Sequence, residues 1–163
     1  MEAFAQDLIA VVNAVKPKKI VLIGHSMGGG IIVEAAPLLQ RKVIGLIGVD
    51  TLHNAEYKFA HEEYEKFVAP VRKDFVKGSE PFLRSMFTAK SDPALIKKIV
   101  KNMSSCPPQV GLGAWDSLFS YDLASALDKI KVPVRSINAD KYLTNLEANR
   151  RHTDRIGKCF FIV

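Results

Sequence analysis

Residues 20–29 read Ile-Val-Leu-Ile-Gly-His-Ser-Met-Gly-Gly and put Ser26 at the tip of a G-x-S-x-G turn. A β-branched run precedes the turn and a helical pattern follows it. A serine hydroxyl attacks a carbonyl usefully only when a base takes its proton and donors receive the charge that develops. A sharp strand-to-helix turn answers both needs, because it holds the hydroxyl clear of the sheet and aims the free N–H groups of the following helix at the same place. The amide of Met27 is the expected oxyanion donor. Gly24 and Gly28 stand two residues either side of Ser26, where a side chain is expected to collide with the turn.

The flanks decide between readings of so short a pattern. Lys18-Lys19 lead into the apolar run 20–23, and Gly29-Gly30-Ile31-Ile32-Val33-Glu34-Ala35-Ala36 continues as a helix. The competing reading is the glycine-rich turn of a nucleotide-binding fold. No G-x-G-x-x-G can be aligned here, and no Gly-Lys-Ser/Thr follows.

The 163 residues, 48% of them hydrophobic, suit one soluble globular domain. The net charge of +6 is spread along the chain, with Lys97-Lys98-Lys101 and Arg150-Arg151 densest. These read as solvated helix faces, and no aromatic-interleaved basic motif points to nucleic acid. Cys106 and Cys159 form no C-x-x-C and imply neither a metal site nor a disulfide framework; Cys159 sits in an apolar, strand-like run. No segment reaches membrane-spanning length.

Apolar positions Phe4, Leu8, Ile9, Val11, Val12 and Val15 predict a helix over 2–15, closed by Lys16-Pro17. The helix after the turn is expected to run to about Gln40, with Pro37 kinking it or ending its first part. Residues 43–49 form a second buried strand ending at Asp50, giving a βαβ unit and a parallel sheet expected to be covered on both faces. Beyond Thr51 the pattern changes to charged, aromatic-rich helices over 56–77, 81–89 and 93–103, with breakers at Gly78, Pro93 and Pro107-Pro108-Gln109-Val110-Gly111. A helix over 122–130 leads back to a strand over 132–138. A helix near 145–155 then precedes a last strand over 159–163.

Gly24-His25-Ser26-Met27-Gly28-Gly29 resembles the nucleophile elbow of the α/β-hydrolases, and 130–140, Ile-Lys-Val-Pro-Val-Arg-Ser-Ile-Asn-Ala-Asp, is similar to a later core strand of that superfamily with an acid at its end. The resemblance implies a partial α/β-hydrolase fold of about four parallel strands with flanking helices. The core would be 1–51 with 128–163, and 52–127 would be a helical lid whose Phe82, Met86, Phe87, Trp115, Leu118 and Phe119 either line a substrate pocket or pack the lid. It implies a serine hydrolase acting on an ester or related carbonyl compound, with Ser26 as nucleophile and Met27 N–H in the oxyanion hole. Serine at the elbow, where epoxide hydrolases and dehalogenases carry aspartate, argues against those chemistries.

Asp140 is the implied catalytic acid, although many relatives place it two positions later, where this chain has Tyr142; Asp50 is the alternative. The histidine of the family follows the last strand, so the base is expected beyond Val163. His25 would hold the turn. His61 and His152 read as surface or packing residues, with His53 the one substitute base. The second oxyanion donor is expected from a segment before Met1, so the chain reads as a core cut at both ends. The apolar edge 20–23 would then be open to self-association. No cofactor or metal is implied, and a small-molecule substrate is the implied partner. The alternative is a catalytically incomplete hydrolase used as a binding or interaction module. Location in the cell stays open, with the cytoplasm implied if the N-terminus is authentic.

Overall fold

The computed structural model describes residues 1–139, 144–156 and 160–162. The chain divides into two compact units, one made of 1–57 with 121–163 and the other of 58–120.

The first unit holds helix α1 (Glu2–Val15), strand β1 (Ile20–His25), helix α2 (Met27–Leu39), a 3-10 turn (Gln40–Lys42) and strand β2 (Val43–Val49). After the second unit come α7 (Leu123–Leu127), β3 (Val134–Ala139), α8 (Leu146–His152) and β4 (Phe160–Ile162). All pairings are parallel and the strand order is β1-β2-β3-β4. Pro37 lies inside α2, which ends two residues later at Leu39. Asp122 and Asn145 cap α7 and α8 with their side chains, accepting from Ser125 N–H and Ala148 N–H, so both helices begin one residue later than the pattern predicts. α7 also closes before 130.

Register assigns Leu22, Leu46 and Val134 to one face of the sheet and Val21, Ile23 and Ile47 to the other. The buried core lies on the first face, where Leu22, Leu46 and Val134 meet Val12, Ile32, Val33 and Leu127. The opposite face keeps Val21 and Ile23 exposed at 47% and 66%. Among the described residues the helices of this unit therefore pack on one face, not on both as the parallel pattern suggests. The strand order explains it. Each crossover moves one strand further in the same direction, and right-handed crossovers of a monotonic order all fall on the same side. Covering both sides needs a reversal of direction that these four strands lack.

The second unit comprises α3 (His61–Lys73), α4 (Phe75–Ser85), α5 (Pro93–Met103) and α6 (Pro108–Phe119). Its core is Val68, Val71 and Phe75, with Tyr64, Cys106, Leu112 and Trp115 against it. Two expected breakers act otherwise. Gly78 and Pro81 both lie inside α4, and a Cβ on Gly78 would overlap the Pro70 carbonyl, so this glycine permits α4 to cross α3 closely. Pro107-Pro108 start a helix rather than interrupt one, because Pro108 occupies the first position, where no N–H is needed. Asp74 and Asp92 cap α4 and α5, accepting from Lys77 N–H at 3.0 Å and Ala94 N–H at 2.8 Å.

Candidate active site

Ser26 joins β1 to α2 with φ 51° and ψ −120°, a conformation that L-residues avoid. Holding a non-glycine residue there costs about 1–3 kcal/mol, which surrounding contacts must offset. Two hydrogen bonds do so locally. Ser26 N–H donates to Val49 O at 3.0 Å, and Gly29 N–H donates to Ser26 O at 2.9 Å. The side chain is exposed at the C-terminal ends of the strands. Met27 is the first residue of α2, so its N–H has no intrahelical acceptor.

The glycines divide their work differently from the expectation. A Cβ on Gly24 would overlap the Gly28 carbonyl, as foreseen. Gly28 itself faces open space, with nothing within 4 Å of an added Cβ. The second steric requirement falls on Gly29, where a Cβ would overlap the Thr51 side chain. The turn is thus closed from below by Gly24 and from the side by the loop that follows β2.

That loop, 50–55, is itself strained and firmly held. Asp50 and Leu52 have φ 48° and 55°. Asn138 on β3, 1% exposed, accepts from Thr51 N–H at 3.0 Å and donates to Thr51 O at 3.0 Å and Thr144 Oγ1 at 2.7 Å. Asn149 on α8, fully buried, accepts from Ala55 N–H and donates to Leu52 O, both at 2.7 Å. Asn145 N–H donates to His53 O at 2.7 Å. Two buried amide side chains therefore replace the missing secondary structure of the loop. Neither is among the residues the sequence singles out, because β3, Val-Arg-Ser-Ile-Asn-Ala, mixes polar and apolar residues and gives Asn138 no distinguishing signal.

Asp50 follows Val49, the register partner of His25, and its Oδ1 lies 3.6 Å from His53 Nε2. Asp140 lies outside the described residues, as do Tyr142 and Cys159. Among the described residues no imidazole hydrogen-bonds to the Ser26 hydroxyl. His25 is exposed, on the face opposite Leu22. His61 is exposed in the first turn of α3. His152 is taken up by Asp128 at 3.1 Å and Glu56 at 3.5 Å. Arg151 grips the same Glu56 with two bonds of 2.6 Å, and this guanidinium holds the carboxyl below its ordinary range.

In the helical unit three of the six candidate pocket residues pack against rings. Phe67 stacks on Trp115 at 5.1 Å and meets Phe82 and Phe119 edge-on at 5.3 and 5.4 Å. Phe67, the hub of this cluster, was not among the candidates. Met86 is exposed, and Phe87 and Leu118 are half-buried. Tyr64 donates to Asp116, and burial together with that carboxylate pushes its hydroxyl up to about 12. Among the described residues no group of three or more His, Cys, Asp or Glu is arranged to hold a metal ion, and no helix is long and apolar enough to cross a membrane.

Comparison with known proteins matches residues 1–80 to the family model described as alpha/beta hydrolase fold. The chain is 22% identical over 149 residues to Karrikin insensitive 2 receptor IA of Petunia hybrida, covering 88% of this chain and 54% of that protein. It superposes on a hydrolase from Oleispira antarctica with a TM-score of 0.82 at 16% identity, covering 99% of this chain and 63% of that one. An esterase from Exiguobacterium antarcticum gives a TM-score of 0.77 at 20% identity, with 98% and 63% covered. The chain thus spans less than two thirds of the length of these relatives. Residues 1–80 match the α/β-hydrolase family model, and the four-stranded parallel sheet is part of that fold.

Proposed function

We propose that this chain provides the nucleophile of a serine hydrolase acting on an ester or related carbonyl substrate. The observation that carries the reading is the strained, exposed Ser26 at the strand-to-helix turn, with its φ of 51° stabilised by Val49 O and Gly29 N–H. Ser26 Oγ attacks the carbonyl carbon while a base removes its proton. The oxyanion faces Met27 N–H, the leaving alcohol takes the proton from the base, and water then cleaves the acyl-enzyme. Asp140 orients the base in this reading; Asp50 with His53, 3.6 Å apart, is the alternative pair. A positioned base contributes about 10²–10⁴-fold to such a step. Residues 52–127 are the lid in this reading. The test is adduct formation with a fluorophosphonate. A serine adduct that vanishes in Ser26→Ala supports the reading, and an unreactive folded chain opposes it.

One observation favours a second reading, a binding module without turnover. A relative covered over 88% of this chain is named as a receptor, and Val21 and Ile23 lie open on the edge strand. In that reading the chain forms a discrete oligomer through β1 and ignores the fluorophosphonate.

A further inference from the structure

The end of the sheet opposite the elbow gathers six cations. Because every strand is parallel, all strand starts gather at one rim, and three of the four are closely preceded by pairs of cations: Lys18-Lys19 before β1, Arg41-Lys42 before β2, Lys129 and Lys131 before β3. Sequence clustering pointed elsewhere, to Lys97-Lys98-Lys101 and Arg150-Arg151, because these six residues meet only once the sheet forms. A cavity of about 450 Å³ opens at this rim. Its floor is aliphatic, made by Ala36, Pro37, Val43, Ile130 and Val132. Arg41, Lys129 and Lys131 stand around it.

Glu34, which lines a small neighbouring cavity with Lys129, accepts from the Tyr121 hydroxyl at 3.1 Å. Asp128, next to Lys129, is 3.1 Å from His152. Among the described residues none of Arg41, Lys129 and Lys131 makes an ion pair. The wall is also shaped at a cost, for Gln40 takes φ 50° where glycine would be the easy choice, and Lys19 Nζ donates to Arg41 O at 2.9 Å to hold that turn.

We propose that this cavity binds a medium-chain amphiphilic carboxylate, its head on Arg41, Lys129 and Lys131 and its tail on the aliphatic floor. The volume falls within the range of small-molecule pockets, roughly 300–1,000 Å³. Charge complementarity selects the head group, and the floor selects the tail. The floor offers no aromatic ring for base stacking, which disfavours a nucleic acid. The site lies at the opposite sheet end from Ser26 and is independent of the hydrolase reading.

The test uses sodium decanoate and decanol, which share a tail and differ in charge, titrated into the full chain by calorimetry. Decanoate is expected to saturate one site, to bind about ten-fold more tightly than decanol, and to weaken as salt screens the cations. Its amide shifts are expected at 36–43 and 129–132, unchanged in Ser26→Ala. The triple variant Arg41→Ala/Lys129→Ala/Lys131→Ala is expected to lose about ten-fold in affinity while decanol binding stays the same. Absence of saturable decanoate binding overturns the proposal, as do equal affinities for the two probes or shifts confined to other regions. Co-sedimentation with phosphatidylglycerol vesicles but no binding of monomeric decanoate also overturns it, in favour of a membrane surface.

Discussion

Ser26 is held in a costly conformation by neighbours whose roles differ, and substitutions separate them. Gly24 and Gly29 have no room for a Cβ, whereas Gly28 faces open space. Gly24→Ala and Gly29→Ala are each expected to lower stability by about 1–3 kcal/mol through overpacking. Gly28→Ala is expected to raise it by about 0.5–1 kcal/mol, because alanine is the better helix residue. Denaturant midpoints check the signs. A similar contrast applies to the loop beside the turn. Asn138→Ala leaves both polar groups of the Thr51 backbone without their partner, and a loss of about 1–3 kcal/mol is expected. The pentapeptide around Ser26 was legible because a tight turn is a local object, its steric demands falling within a few residues. Asn138 and Asn149 were not, because they act on backbone 87 to 97 residues away. Gly28 was misread for a related reason, since the group that limits space beside α2 is Thr51, on another loop.

At the scale of elements, α1, β1, α2 and β2 follow their apolar periodicities closely, and β2 runs over 43–49 as the pattern predicts. The helices of 58–120 were harder to bound. Proline and glycine were read as stops, yet Pro108 opens α6, and Gly78 permits two helices to cross. Those outcomes depend on which position a residue takes within its helix and what packs against it. The link between α8 and the loop after β2 gives a prediction with a definite sign. Arg151 lowers the Glu56 carboxyl below 4.5 in the folded chain. That pair therefore adds stability at pH values above 4.5, and the contribution is lost as pH falls through the lower folded value. The effect is small because both side chains are exposed to solvent. Thermal melts from neutral to acid pH are expected to fall less steeply in Glu56→Gln than in the parent.

For the whole molecule, the direction of winding matters more than the strength of any strand. Four strands laid down in one direction put the helices of the first unit on one face and leave Val21 and Ile23 open on the other. Exposed β-branched residues on an edge strand promote pairing with another chain. Ile23→Lys is expected to shift the chain toward monomer in sedimentation velocity. An unchanged distribution would show that the edge strand is not the contact. The strand patterns were legible in the sequence, but their order was not, and it is the order that decides which face is covered. The proposal that Ser26 is a nucleophile rests on its position at the strand-to-helix turn. Mass spectrometry of the fluorophosphonate-treated chain, with imidazole added as a substitute base, tests this most directly. The expected result is an adduct on the peptide bearing Ser26 that grows with imidazole concentration and disappears in Ser26→Ala. No adduct at any imidazole concentration, or equal labelling of Ser26→Ala, would contradict it.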